Sequence, residues 1–90
     1  MPTLKIPTPL RPYASGQGEF TVQAETVAEA LDELVSQHPA LKQHLFAETG
    51  ELRAFVNLFL NEEDIRHLQG VQTPLGERDK LILIPSIAGG

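Results

Sequence analysis

Two glycines, Gly89 and Gly90, stand at the end of the chain and put a bare carboxylate on a stalk that has no side chains at its last two positions. Without a Cβ, such an end can thread a narrow channel and bring its backbone against a nucleotide or a nucleophile. A terminal carboxyl with a pKa of about 3.3 to 3.7 is ionised at neutral pH, so it is a weak electrophile and must be activated before acyl chemistry. The chain carries no device for that step. It has no G-x-x-x-x-G-K-[ST] loop, and Gly16-Gln17-Gly18 lacks the third glycine and the strand-to-helix setting of a dinucleotide fingerprint. No cofactor is therefore expected to bind here, and any ATP would be used by a separate activating enzyme.

The other reactive side chains form no constellation. There is no cysteine, which excludes a disulfide framework, a thiolate nucleophile and a zinc ribbon. His38, His44 and His67 have no i, i+4 partner among themselves and no cysteine nearby, so no metal site is expected. Glu62, Glu63 and Asp64 read as a solvated turn. Ser15, Ser36 and Ser86 sit in no G-x-S-x-G elbow. The chain reads as a protein cosubstrate, or a non-catalytic subunit, rather than an enzyme. A net charge of −5 with lysines and arginines scattered singly leaves no phosphate-neutralising patch, so nucleic acid is not an expected partner. The start MPTLKIPTPL lacks a basic region followed by an apolar run, and no long apolar stretch follows. A cytoplasmic protein with no membrane partner is expected.

The elements that must position the stalk can be read from periodicity. Ninety residues with 41% hydrophobic content fit one domain with one core. Residues 1–85 are expected to form that domain and residues 86–90 a flexible tail. Leu4 and Ile6 alternate with Lys5 in a short strand ended by prolines at 7, 9 and 12. Gly16 and Gly18 mark a turn, and Glu19 to Ala24 resumes alternation through Phe20 and Val22, which predicts a hairpin with a wide loop. Thr26 with Glu29 forms a capping box ahead of Val27, Ala30, Leu31, Leu34 and Val35 at helical spacing. Pro39 ends that helix through its effect on His38. Leu41, Leu45 and Phe46 predict one or two more helical turns before Thr49-Gly50.

Arg53 to Asn61 reads as a long strand, with Val56, Leu58 and Leu60 on one face and Phe55, Asn57 and Phe59 on the outer one. After the polar turn at 61–64, Ile65 and Arg66 are expected to add a short strand. Residues 68–75 read as irregular connection and residues 76–79 as the final turn. Lys80 to Ile84 has the β-branched run of an interior strand. If Leu58, Leu60, Leu81 and Leu83 face the helix, then Phe59, Ile82 and Ile84 share the opposite face and form an apolar docking patch beside the stalk. The order predicts α+β, with a helix covering one face of a mixed, four- to five-stranded sheet.

This pattern, together with FVN at 55–57, TPL at 73–75 and ILIPSIAGG at 82–90, resembles the ubiquitin-like β-grasp sulfur carriers. These include the small subunit of molybdopterin synthase, the thiamine-pathway carrier and the carrier of a thiocarboxylate-dependent cysteine pathway. The resemblance spans essentially the whole chain. Its specific part is the last strand, the proline and the small residues running into Gly-Gly. It implies that an activating enzyme adenylates Gly90, that a sulfur donor converts the acyl adenylate to a thiocarboxylate, and that the sulfur passes to a metabolite. Gly89 and Ala88 then keep the stalk slim and Ile87 anchors it in an apolar groove. From Pro85 to Gly90 the stalk reaches roughly 20 Å at about 3.3 Å per residue, enough to enter a buried site. The resemblance also implies that the sheet face bearing Phe59, Ile82 and Ile84 meets partners.

The molybdopterin branch carries two prolines before the tail and a Gly-Asp turn before the last strand, where this chain has Pro85-Ser86 and Arg78-Asp79. FVNLFLNEEDIR looks more like the cysteine-pathway carrier. The expected sulfur acceptor is thus a cysteine-synthase-like enzyme, with the molybdopterin synthase large subunit as the alternative. A ubiquitin-like protein modifier and a β-grasp binding module with an idle tail are the other readings.

Overall fold

Leu4 and Ile6 are both buried to about the last percent of their surface, while Lys5 between them is not, so the first alternation read from sequence is a real strand. The structure, a computed structural model, describes residues 1–53 and 56–85. Strand β1 (Thr3–Lys5) pairs antiparallel with β2 (Glu19–Thr21), matching Leu4 with Phe20 and Lys5 with Glu19. The wide loop of this hairpin is a 3-10 helix over Thr8–Ala14. Pro9 in its first turn fixes φ where no N–H is needed. Leu10 and Ala14 are buried from it, so the loop closes one end of the core. It ends where Ser15 and Gly16 take φ of 56° and 80°.

Helix α1 (Val27–Gln37) starts as the capping box predicts, with the Thr26 hydroxyl accepting from Glu29 N–H at 3.2 Å. The Glu29 carboxylate reaches one residue further back than in the usual box and accepts from Glu25 N–H at 3.0 Å. Val27, Ala30, Leu31 and Leu34 face the sheet. A 3-10 turn over Pro39–Leu41 and the short helix α2 (Lys42–Leu45) follow, burying Leu41 and Leu45.

Strand β3 (Val56–Leu60) is shorter than its sequence pattern. Arg53 donates its N–H to the Leu45 carbonyl instead of to a neighbouring strand, and Asn61 turns the chain at φ 60°. Ala54 and Phe55 lie outside the described residues, and with them the expected place of Phe55 beside Asn57. The short strand expected at Ile65 and Arg66 lies two residues earlier, as β4 (Glu63–Asp64), paired with β3 through Phe59–Asp64 and Leu60–Glu63. The two-residue turn at Asn61-Glu62 fixes that register. Asp64 then caps a 3-10 turn over Ile65–His67 by accepting Arg66 N–H at 2.9 Å, which bends the chain out of the sheet.

The connection to the last strand contains a 3-10 turn over Gly70–Gln72. The TPL stretch is tied to the start of α1, since Val27 N–H donates to Thr73 C=O at 3.1 Å and Leu75 N–H to Glu25 C=O at 2.8 Å. The buried Thr73 hydroxyl donates to Gly70 C=O at 2.6 Å and accepts from Gln69 N–H at 3.0 Å. Strand β5 (Lys80–Pro85) enters the middle of a five-stranded mixed sheet of order β2-β1-β5-β3-β4, parallel to β1 and antiparallel to β3. Asp79 holds the turn before it, accepting from Gly76 N–H at 2.7 Å and from the Asn61 amide at 3.0 Å. The core lies between α1 and one face of this sheet.

Candidate functional site

Strand β5 is clamped on both sides, and its alternation divides its side chains between two environments. Leu81 and Leu83 are about 1% exposed under α1. Ile82 and Ile84 therefore leave from the opposite face, where Ile84 is 43% exposed and Ile82 half-buried. Register places Ile82 across from Phe59 on one side and Lys5 on the other, and Ile84 across from Asn57. The three residues expected to form an apolar patch, Phe59, Ile82 and Ile84, are thus neighbours on the open face. Leu60, expected toward the helix, is half-buried against the core. Ile87, Ala88, Gly89 and Gly90 lie outside the described residues; the described chain ends at Pro85, where β5 ends.

Charges frame the patch. One register row runs Glu19, Lys5, Ile82, Phe59, Asp64 across all five strands, apolar in the middle and charged toward both edges. The Lys5 ammonium donates to the Glu19 carboxylate at 2.8 Å and, by hydrogen bond and charge, holds that carboxyl below its usual range. At the other edge the Arg66 guanidinium forks onto Asp64, with Nη2 at 2.6 Å from Oδ2 and Nε at 3.1 Å from both oxygens. Those bonds, with the Arg66 backbone N–H, lower the Asp64 pKa to about 2 and raise that of Arg66. Asp79 is likewise lowered by its bonds from Asn61 and Gly76.

The remaining sequence candidates are occupied separately. His44 packs its ring against Tyr13 at 4.1 Å between centroids, and His38 meets the edge of Phe20 at 5.7 Å. His67 Nδ1 lies 3.5 Å from the Glu63 carboxylate. Among the described residues no three His, Cys, Asp or Glu side chains gather as a metal site. No described helix is long and apolar enough to cross a membrane. Sequence reading did not place Lys5 at the patch. Its alternation with Leu4 and Ile6 gave its face, but its neighbour Ile82 depends on a parallel pairing between residues more than seventy positions apart, which periodicity does not encode.

A mixed sheet in which the first and last strands run parallel at the centre, with two flanking antiparallel strands and a helix across one face, is a ubiquitin-like β-grasp. Within that class the chain belongs to the ThiS family, whose model matches residues 4–90. It is 31% identical to the sulfur carrier protein CysO of Mycobacterium tuberculosis over 98% of this chain and 97% of that one. Its structure is similar to that of one chain in the crystal structure of the Amycolatopsis orientalis BexX/CysO complex, with TM-score 0.89, 33% identity and all of both chains covered. It is also similar to small archaeal modifier protein 1 of Methanosarcina acetivorans, with TM-score 0.87 and 32% identity over 99% of this chain and 95% of that one.

Proposed function

We propose that this chain is a sulfur carrier that acts as a protein cosubstrate through Gly90. The observation that carries the reading is the extent of the likeness: the family match runs through residue 90, and the relatives are spanned over nearly their whole length. The Gly90 carboxylate attacks the α-phosphate of ATP held by an activating enzyme, releasing pyrophosphate and leaving an acyl adenylate. Sulfide supplied by a sulfur donor then attacks the acyl carbon and AMP departs, leaving a thiocarboxylate. This chain contributes the acyl group, a stalk slim at Ala88 and Gly89, an apolar anchor at Ile87, and a docking face of Phe59, Ile82 and Ile84. The domain at 1–85 presents residues 86–90 to each partner in turn. ATP belongs to the activating enzyme, and no cofactor is held by the carrier.

For the product, likeness to CysO supports a cysteine-synthase-like acceptor that builds cysteine from the delivered sulfur. The BexX/CysO complex supports the idea that carriers of this kind form defined protein complexes. Intact mass spectrometry before and after incubation with ATP, a sulfide source and the cognate activating enzyme tests the reading, with a Gly90-deleted chain as control. Replacement of one oxygen by sulfur at Gly90, absent from the control, is expected. An unchanged mass in a mixture that thiolates a known carrier overturns it.

Likeness to an archaeal modifier protein favours a second reading, in which the same activated end forms an isopeptide bond to a lysine of a target. Conjugates that survive reducing denaturation and require Gly90 would identify it.

A further inference from the structure

At the flank of α1, on the covered side of the sheet, residues from separate segments converge on a concavity. Phe46 and Leu52 form an isolated antiparallel bridge, and the chain between them turns through Gly50 at φ 91°. Val71 approaches from the 3-10 turn over Gly70–Gln72, and Leu31 closes the floor from α1. Phe46, Leu52 and Val71 are half-buried, so their apolar surface is only partly covered by the fold itself. Together they bound a cavity of about 380 Å³. That falls in the range of roughly 300–1,000 Å³ typical of pockets that take small ligands.

The mouth of this groove has one sign of charge. Asp32 and Glu51 stand at it, both exposed, and neither side chain has a hydrogen-bonding or ionic partner among the described residues. Helix α1 carries no basic residue that could neutralise Asp32 from the same element, and no basic side chain is among the described residues lining the cavity. The ion pairs among the described residues, Lys5–Glu19, Arg66–Asp64 and His67–Glu63, lie at the two edges of the sheet, and none of them reaches this groove. An apolar floor below two unmatched carboxylates complements an apolar side chain that is flanked by cations.

The geometry points to this groove as a docking site for a partner polypeptide that presents a leucine- or phenylalanine-sized side chain next to lysine or arginine. It lies on the covered side of the sheet, and its lining includes none of Phe59, Ile82 and Ile84. The inference is independent of the chemistry proposed for the stalk.

Amide chemical-shift titration of the full chain tests it, with a blocked Lys-Leu-Phe-Leu-Lys peptide as probe and Glu-Leu-Phe-Leu-Glu as its counterpart. Saturable shifts at Leu31, Phe46, Leu52 and Val71 are expected, with the lysine-flanked peptide at least about fivefold tighter at low salt and the gap narrowing at high salt. The double variant Asp32→Lys, Glu51→Lys should reverse the preference, and deletion of Gly90 should leave it unchanged. Both substituted side chains are exposed and unbonded, so an unchanged thermal transition will show that the variant is folded. Equal affinity for the two peptides, shifts confined to the sheet face, no saturable shift, or self-association of the peptide-free protein through the groove would each overturn the proposal.

Discussion

Leu81 and Leu83 differ from Ile82 and Ile84 in little more than the side of one strand from which they leave, yet they meet opposite fates. The leucines are about 1% exposed beneath α1, while Ile84 keeps 43% of its surface. Similar side-chain volumes and the same backbone hydrogen-bonding ladder serve both sets. The difference shows that hydrophobicity alone does not assign a role to a strand residue; the presence or absence of a covering element does. On the covered face, apolar area stabilises the fold, at about 1.5–3 kcal/mol per fully buried aliphatic side chain. On the open face, the same kind of area stays in contact with solvent and adds correspondingly less to stability.

The comparison is broken most severely by hollowing the covered face. Leu83→Ala should destabilise the chain by about 2–5 kcal/mol and lower Tm by more than about 10 °C, as read by denaturant and thermal unfolding. Removing the cap that sets the covering helix is milder. Thr26→Ala should cost about 1 kcal/mol in the same experiments, because Glu29 N–H loses its acceptor while the apolar contacts of α1 remain.

A smaller and pH-gated effect is expected at the sheet edge, where Arg66 is 70% exposed. Asp64 has its pKa lowered from 3.8 to about 2 in the folded state, so the folded state binds fewer protons there than the unfolded one. Its contribution is complete above about pH 4 and fades as pH falls toward 2. Acid unfolding of Asp64→Asn should therefore show a shallower dependence through that window, and a profile identical to that of the parent would contradict the pairing.

The smallest change in stability belongs to the open face. Ile84→Thr keeps a β-branched side chain in an exposed strand position and should move stability by no more than about 0.5 kcal/mol. If the face docks an activating enzyme, the same variant should raise KM for the carrier severalfold with its unfolding curve unmoved, a separation that Leu83→Ala cannot produce.

The legible parts of the chain are those in which a single element carries its own signal. The Thr26–Glu29 box and the helical spacing from Val27 to Leu34 gave α1, and KLILI gave β5 with the faces of Leu81 through Ile84. The α+β class and the family resemblance agree with the fold and with the ThiS match. What periodicity could not supply was set by other means. A two-residue strand is shorter than any window in which alternation can be seen, and β4 owes its place to the left-handed Asn61 and to the Asp64 cap. The 3-10 helix at Thr8–Ala14 was hidden because its prolines read as strand breakers, although Leu10 and Ala14 carry a helical spacing between them. The groove at the flank of α1 brings the local Phe46–Leu52 bridge against Leu31 and Val71, a nearness set by tertiary packing. Gly90 and the stalk residues are read from sequence and lie outside the described residues.

The central position of β5 has a consequence for the birth of the molecule. Strand β1 meets β5 across nearly the whole length of the chain, and neither β1 nor β3 pairs with the other directly. During synthesis the β1–β2 and β3–β4 hairpins emerge first as two unconnected halves, each with an unpaired inner edge. The sheet can close only when residues 80–85 leave the ribosome and slide between them, an ordering that places the slowest, most non-local contacts last. A nascent chain interrupted before Pro85 cannot complete its core, so the strand that leads into the stalk is also the one that decides whether there is a folded body to carry it.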